Sequence, residues 1–227
     1  MFNKELFSLM SIYLLIIFGI ITASTATSTT NQIQVVKQDT VVMPEDTLIN
    51  VKDKTALIIG DSHSANNTNG WQKVLCDKTG MKMINASVGG KTTFWMLDMA
   101  TYKINNNVNY CFIYGGANDM YSSGIKPVQS LRNIQGIVRM CNGRGIKCYV
   151  ITGFDPEKCT RTTNPNYPSR YSTLQKMMLD SIKDATVIDT RVAERKDCWD
   201  ALCHMAPSGH KKIANKIIQD GKFKTIK

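Results

Sequence analysis

Short apolar runs closed by turn residues alternate with longer segments of helical character, and that alternation limits the folds open to this chain. The runs cover 55–60, 81–87, 109–115, 146–153 and 185–189, and the helix-like segments cover 66–78, 93–102, 127–142, 169–183 and 207–219. In the last segment Ile213, Ala214, Ile217 and Ile218 share one side while Lys211, Lys212 and Lys216 turn away, the pattern of an amphipathic helix. Pro207 suits its first position, where a missing N–H costs nothing. Strands and helices in strict alternation imply right-handed crossovers between parallel strands. We therefore expect an α/β fold, a three-layer α/β/α sandwich on a five-stranded, mostly parallel sheet, over residues 54–227. Ligands of such sheets bind beyond the carboxyl ends of the strands, where the strand order reverses.

Residues 1–26 differ from the rest. Lys4 precedes an apolar stretch from Leu6 to Ile21, and the small residues Ala23-Ser24-Thr25-Ala26 follow. This is the layout of a secretory signal. The stretch is long for a signal and short for a span, so an uncleaved membrane anchor with Lys4 on the cytoplasmic side is the competing reading. Either one gives a secreted or membrane-anchored domain outside the cytosol. Residues 27–53, polar and then valine-containing with Pro44, read as a spacer or as an added edge strand.

Seven cysteines follow: Cys76, Cys111, Cys141, Cys148, Cys159, Cys198 and Cys203. Outside the cytosol some should pair, and an odd number leaves a thiol over. Cys111, inside an apolar run, is the expected buried thiol, whereas Cys159, Cys198 and Cys203 lie in loop-like stretches and are the expected disulfide partners. The net charge is +10. Part of it sits on the lysine-rich end after His210, read as a solvated helix face followed by a polar tail, with attraction to an anionic surface as the alternative. No nucleic-acid motif accompanies it, and no nucleic-acid partner is expected.

Gly60-Asp61-Ser62-His63 stands directly behind Ala56-Leu57-Ile58-Ile59. A strand delivering Ser62 to the first turn of a helix would set its hydroxyl at the carboxyl edge of the sheet, near N–H groups that favour negative charge. A serine hydroxyl attacks an ester only with a neighbouring base. The chain holds three histidines. His63 adjoins Ser62, so its side chain should point elsewhere, into a pocket wall. His210 lies among lysines and reads as a surface residue. His204, in a loop with Asp200 just upstream, is the candidate general base and later general acid.

Two further blocks, Asn85-Ala-Ser-Val-Gly-Gly90 and Gly116-Ala-Asn118-Asp119, complete a series. With the Ser62 and His204 segments they resemble, in order, the SGNH (GDSL-type) hydrolases, a family named for a Ser, Gly, Asn and His on four separated blocks. The resemblance runs from residue 56 to 218. It implies a serine esterase: Ser62 as nucleophile, His204 as base, Asp200 orienting His204. It also implies an oxyanion hole from the Ser62 N–H, the Gly90 N–H and the Asn118 amide. Gly89 is one residue from the Gly90 position. The family's spacing is Asp-x-x-His, whereas here Ala201 stands three before His204 and Asp200 four before; Asp197 or a backbone carbonyl is the reserve. Asp61 and Asp119 read as loop braces.

Competing sites carry less. Cys198, Cys203, His204 and His210 match no familiar zinc spacing, so no metal is assigned. The Gly-x-Ser-x-Gly elbow of the α/β-hydrolases is absent around Ser62. No cofactor is required. Residues 154–170 read as a long irregular loop for substrate contacts, with Trp95 and Trp199 as possible aromatic walls. Asn66-Asn-Thr68 and Asn85-Ala-Ser87 fit the glycosylation pattern but adjoin the site, so neither is expected to be used. The expected partner is a small-molecule or carbohydrate ester. Transfer of the acyl group to a carbohydrate, or a catalytically silent binding module, are the rival functions.

Overall fold

A computed structural model describes residues 47–121 and 124–226. The apolar N-terminal stretch and most of the proposed spacer lie outside the described residues. Strands β1 (Thr55–Gly60), β2 (Lys82–Asn85), β3 (Tyr110–Tyr114), β4 (Lys147–Ile151) and β5 (Thr186–Ile188) form one sheet in the order β2-β1-β3-β4-β5. Every pairing is parallel. The helices are α1 (Trp71–Thr79), α2 (Thr93–Lys103), α3 (Ala117–Tyr121), α4 (Pro127–Asn142), α5 (Pro156–Cys159), α6 (Tyr167–Ser181) and α7 (Pro207–Asp220). From β1 the chain steps to β2 on one side, then crosses back to β3 on the other. Right-handed crossovers then send α1 to one face and α2, α4 and α6 to the opposite one. α7 packs on α1, and α4 packs on both α2 and α6. This is the three-layer sandwich expected from the alternation. Its reversal in strand order falls between β1 and β3, the place where ligands of such sheets bind.

Burial on both faces explains the central strands. Leu57, Ile58, Ile59, Cys111, Phe112 and Tyr114 have no exposed surface, as parallel strands covered by helices require. Each large apolar side chain so buried contributes roughly 1.5–3 kcal/mol of transfer free energy. Cys111 lies opposite Cys148 in the β3–β4 register, and with Cys141 their sulfurs all come within 4.8 Å of one another. Cys76 and Cys159 are also free and buried, so Cys111 is one of several such thiols rather than the single leftover.

Several local expectations need correction. α1 begins at Trp71 rather than at 66, because Asn66 Oδ1 accepts from the backbone N–H of Thr68 (2.9 Å) and of Asn69 (3.3 Å), a side-chain turn that competes with helix. The supposed irregular loop 154–170 contains α5 and the start of α6. Asp155 caps α5, accepting from Glu157 N and Lys158 N, with Pro156 at its first position. The basic end is no free tail. Ile49 N donates to Lys222 O (2.7 Å), Lys224 N to Ile49 O (2.9 Å) and Ile226 N to Lys78 O (2.8 Å). Phe223 is buried against Tyr110, Phe112 and Tyr149. With Val51 fully buried, the ordered domain takes in residues 47–53, the end of the stretch read as spacer. His210 is buried, its Nδ1 accepting from Trp71 N (3.2 Å). It joins α7 to the start of α1 rather than facing water.

Candidate active site

Ser62 follows β1 in a tight turn, and α1 starts only at Trp71. The expected helix N-terminus at the serine is therefore absent, and its dipole with it. Sheet and turn bonds hold the hydroxyl instead. Asp61 N donates to Tyr114 O (3.3 Å), Ser64 N to Asp61 O (3.0 Å) and His63 N to Asp61 Oδ1 (3.0 Å). A Cβ on Gly60 would stand 2.4 Å from Tyr114 O and 2.9 Å from Ser64 Oγ, so only glycine lets the turn close on β3. From β2, Asn85 Nδ2 donates to Ser64 O (2.7 Å) and locks the turn from its other side. Asp61 is fully buried, and burial lifts its pKa to about 7.

His204 comes from a hairpin-like loop between β5 and α7. Cys198 and Met205 form an antiparallel bridge, Trp199 N donates to His204 O (3.0 Å), and Cys198 and Cys203 are joined by a disulfide. The loop wraps the Asp200 carboxylate: Oδ1 accepts from Leu202 N (3.0 Å) and His204 N (2.9 Å), and Oδ2 from His204 Nδ1 (2.5 Å). The extra residue between Asp200 and His204 is absorbed in this turn. Burial opposes ionisation of Asp200, but the hydrogen bonds from the His204 ring and backbone outweigh it and lower its pKa. A carboxylate can only accept, so Nδ1 carries the proton and Nε2 is left to accept. Nε2 lies 2.8 Å from Ser62 Oγ. Asp197, the reserve orienting acid, is committed elsewhere, to Lys212 Nζ (2.7 Å) and Glu194 N (2.9 Å).

Two rings flank the imidazole. His63 is buried with its ring 4.9 Å from that of His204 at 21° between planes. Burial first, and the neighbouring His204 second, push its pKa down to about 3, which keeps it neutral. It is the pocket-wall residue expected from its place beside Ser62. Trp199 stacks on His204 at 5.6 Å while 70% exposed. Trp95 is only partly buried, with Lys91 Nζ 5.6 Å from its ring centroid.

Asn118, on α3 just past β3, has one amide hydrogen donated to Lys91 O (3.0 Å) and another to spare. Gly90 has φ +74, a conformation that side-chained residues rarely adopt, in an exposed turn. Its neighbour Gly89 is the glycine beside the serine: a Cβ there would lie 3.7 Å from Ser62 Cβ, whereas one on Gly90 would meet nothing within 4 Å. The structure thus brings Ser62, Asp200, His204 and Asn118 together and puts the Gly89–Gly90 turn at their margin. Asp119 braces the surrounding loops, accepting from Thr93 N (2.9 Å), Thr93 Oγ1 (2.5 Å) and Ser130 Oγ (2.7 Å).

A cavity of about 30 Å³ adjoins the hydroxyl, lined by Ser62, His63, Ala117, Asn118, Tyr121, Tyr167, Leu202 and His204. Sequence reasoning missed Tyr121. Leu202 lies between two motif residues, and Tyr167, at the start of α6, falls within the 154–170 stretch expected to contact substrate, though the sequence singles out neither. A larger open groove of about 500 Å³ sits at the amino ends of β4 and β5, lined among others by Lys147, Lys183 and Thr186. It brings no hydroxyl and imidazole together, so the smaller cavity is the candidate site.

A family model described as GDSL-like lipase/acylhydrolase matches residues 58–212, and the chain belongs to that family. It is accordingly an ester-hydrolysing enzyme. Among curated proteins none matches the chain by sequence. Among solved structures it is similar to Axe2, an acetylxylan esterase from Geobacillus stearothermophilus. There the identity is 14% and the TM-score 0.58, with 76% of this chain and 96% of that chain covered. It is also similar to a G-D-S-L family protein from Desulfitobacterium hafniense DCB-2. In that case the identity is 14% and the TM-score 0.63, with 74% and 99% covered. Matching structures include catalytic mutants of Axe2 in which a serine, an aspartate or a histidine is replaced by alanine.

Proposed function

We propose that this chain hydrolyses short-chain carboxylic esters, either small esters or acetylated carbohydrates, through an acyl-Ser62 intermediate. The observation that carries the reading is the unbroken hydrogen-bond chain Asp200 Oδ2 to His204 Nδ1 (2.5 Å) and His204 Nε2 to Ser62 Oγ (2.8 Å). In the first half-reaction Nε2 takes the hydroxyl proton as Oγ attacks the ester carbonyl. The tetrahedral oxyanion is met by the Ser62 N–H, the spare hydrogen of Asn118 and the N–H of Gly90 from the adjoining turn. The imidazolium, steadied by Asp200, then gives its proton to the departing alcohol oxygen and the acyl-serine is left. Water repeats the sequence: Nε2 takes its proton, the hydroxide oxygen bonds to the acyl carbon, and Oγ leaves with the proton. His63 stays neutral beside His204, so no second cation competes for the same space. The departure from Asp-x-x-His spacing does not weaken Asp200, because the carboxylate faces the ring regardless. The catalytic serine, aspartate and histidine of Axe2 are the same three residue types, its aspartate and histidine standing three apart.

Cavity size supports the short acyl group. About 30 Å³ is far below the roughly 300–1,000 Å³ that encloses a drug-sized ligand. An acetyl group fits the scale of the cavity, and a longer chain would have to extend out of its open side. The test is hydrolysis of p-nitrophenyl esters of rising chain length by residues 27–227, beside Ser62→Ala. We expect acetate to be the best substrate, with kcat/KM falling as the chain lengthens, and no turnover above background in the variant. Equal turnover in Ser62→Ala would defeat the proposal.

We place the domain outside the cytosol as well. The Cys198–Cys203 bond supports export, since such bonds persist in oxidising compartments. Fractionation followed by N-terminal sequencing tests this, and a protein found only in the cytosol would refute it.

A further inference from the structure

The loop that presents His204 is held less by packing than the turn that presents Ser62, where Asp61, His63 and Ser64 are all buried. Across residues 199–204 only Cys203 is buried, while Trp199 and Ala201 are exposed and the rest are half-buried. Cys203 also has φ +63, in the left-handed region that non-glycine residues enter only when their surroundings impose it. It sits directly before His204, where the residue beyond the usual Asp-x-x-His spacing has to be taken up. Cys203 is fastened by its bond to Cys198, whose backbone is bridged to Met205, and by a single backbone bond, Cys203 N to Asp200 O (3.2 Å); Arg161 N also donates to Ala201 O (2.8 Å) and Arg195 Nη1 to Asp200 O (2.5 Å). The cross-link therefore ties the residue before His204 to a residue two before Asp200.

We infer that the Cys198–Cys203 disulfide is a positioning element for the Asp200–His204 pair, and that a dithiol reductant disarms the site by removing it. The inference rests on the esterase reading. In the step, a reductant thiolate attacks one sulfur to give a mixed disulfide, and its second thiol displaces the protein sulfur. Two electrons pass to the protein, Cys198 and Cys203 each end as a protonated thiol, and the reductant leaves as its cyclic disulfide. Cys203 is then free to leave φ +63, and the ring that follows it moves off the carboxylate. Cys159 completes the local picture. Its sulfur lies within 4.8 Å of both bonded sulfurs and donates to Ala193 O (3.3 Å). Burial raises its pKa and keeps it a thiol at neutral pH, so the Cys198–Cys203 pairing is not scrambled from within.

The test uses three readouts on the full chain: steady-state kinetics with p-nitrophenyl acetate, circular dichroism, and the downfield proton resonance of His204 Nδ1–H. Asp200→Asn assigns that resonance. On titration with dithiothreitol, with alkylation and mass mapping to count freed thiols, we expect kcat to fall by ~10²–10⁴-fold. KM should change by less than about threefold, the helical signal should stay intact, and the resonance should disappear as Cys198 and Cys203 become labelled. In Cys198→Ser/Cys203→Ser, adding Asp200→Asn should cost less than about threefold, because the pair is already uncoupled. A full Asp200→Asn cost in that background would overturn the inference, as would full activity and an unchanged resonance after proven reduction. Global unfolding on reduction would also count against it, since the bond would then be holding the domain rather than the pair. Should the serine variant fail to fold, the titrated parent protein decides. Should the parent hydrolyse no ester, the esterase reading falls by itself and the resonance alone decides: loss on reduction supports the inference and persistence overturns it.

Discussion

Residues 60–64, which carry Ser62, are held by the sheet, whereas residues 198–205, which carry His204, are held by contacts of their own loop: a short backbone bridge, one carboxylate and a disulfide. Around the serine, Gly60 permits contact with β3, Asp61 N bonds to Tyr114 O, and Asn85 closes the turn from β2. Nothing there depends on redox conditions. Around the histidine, three bonds to one carboxylate, one disulfide and a few backbone bonds local to the loop do the holding, and much of the loop faces water. The nucleophile is thus placed by topology and the base by local chemistry. Mutations should accordingly damage the first through the fold and the second through the carboxylate and the cross-link.

The largest expected effect that sharpens this contrast is at Asp200. Asp200→Asn should lower kcat by ~10²–10⁴-fold with the melting temperature little changed. Asp197→Asn, which loses the Lys212 and Glu194 contacts instead, should leave kcat within about threefold and lower the melting temperature. Steady-state kinetics and thermal melts on the two variants decide, and equal activity in Asp200→Asn and the parent would break the comparison. Next comes Asn118→Ala, expected to reduce kcat by ~10²–10³-fold with KM nearly unchanged, the cost of one oxyanion donor. A pure KM effect would make Asn118 a ground-state contact only.

The smallest effect is on stability against pH. His210, pushed down to about 4 by burial, and His63, at about 3, are lowered from the ordinary 6.5. Between those limits the unfolded chain binds protons that the folded one refuses, so their stabilisation is complete above about 6.5 and is lost as pH falls. Asp61, raised from 3.8 to about 7, acts in the opposite direction, and its contribution declines as pH rises across that interval. Each group contributes up to about 1.4 kcal/mol per pH unit. Urea unfolding at pH 7 and pH 5 should show His210→Gln losing less stability on acidification than the parent. An equal loss in both would mean that His210 is charged in the fold.

Much of this was legible in the chain, for reasons that differ by region. β1 and α4 have the bounds expected, because turn residues close the one and Pro127 opens the other. The four blocks gather at one sheet edge because each follows a strand or precedes a helix, so topology alone assembles them. What could not be read depends on distant partners. His210 looks exposed beside its lysines until Trp71 N, 139 residues away, meets its ring. Phe223 looks like part of a tail until three aromatic rings from the sheet surround it. The residues after Ser62 read as the start of a helix, but the Asn66 turn delays α1, and no hydrophobic period signals such a turn. Loop position points to Cys159, Cys198 and Cys203 but does not say which two pair, because loop closure leaves no mark on composition.

Covalent capture at position 62 is the most direct measurement. Incubation with a fluorophosphonate probe, followed by intact mass and peptide mapping, should give one adduct per chain, on Ser62. Ser62→Ala should give none, and Asp200→Asn should label far more slowly. Adduct formation at another serine, or equal labelling of Ser62→Ala, would contradict the assignment of Ser62 as the nucleophile.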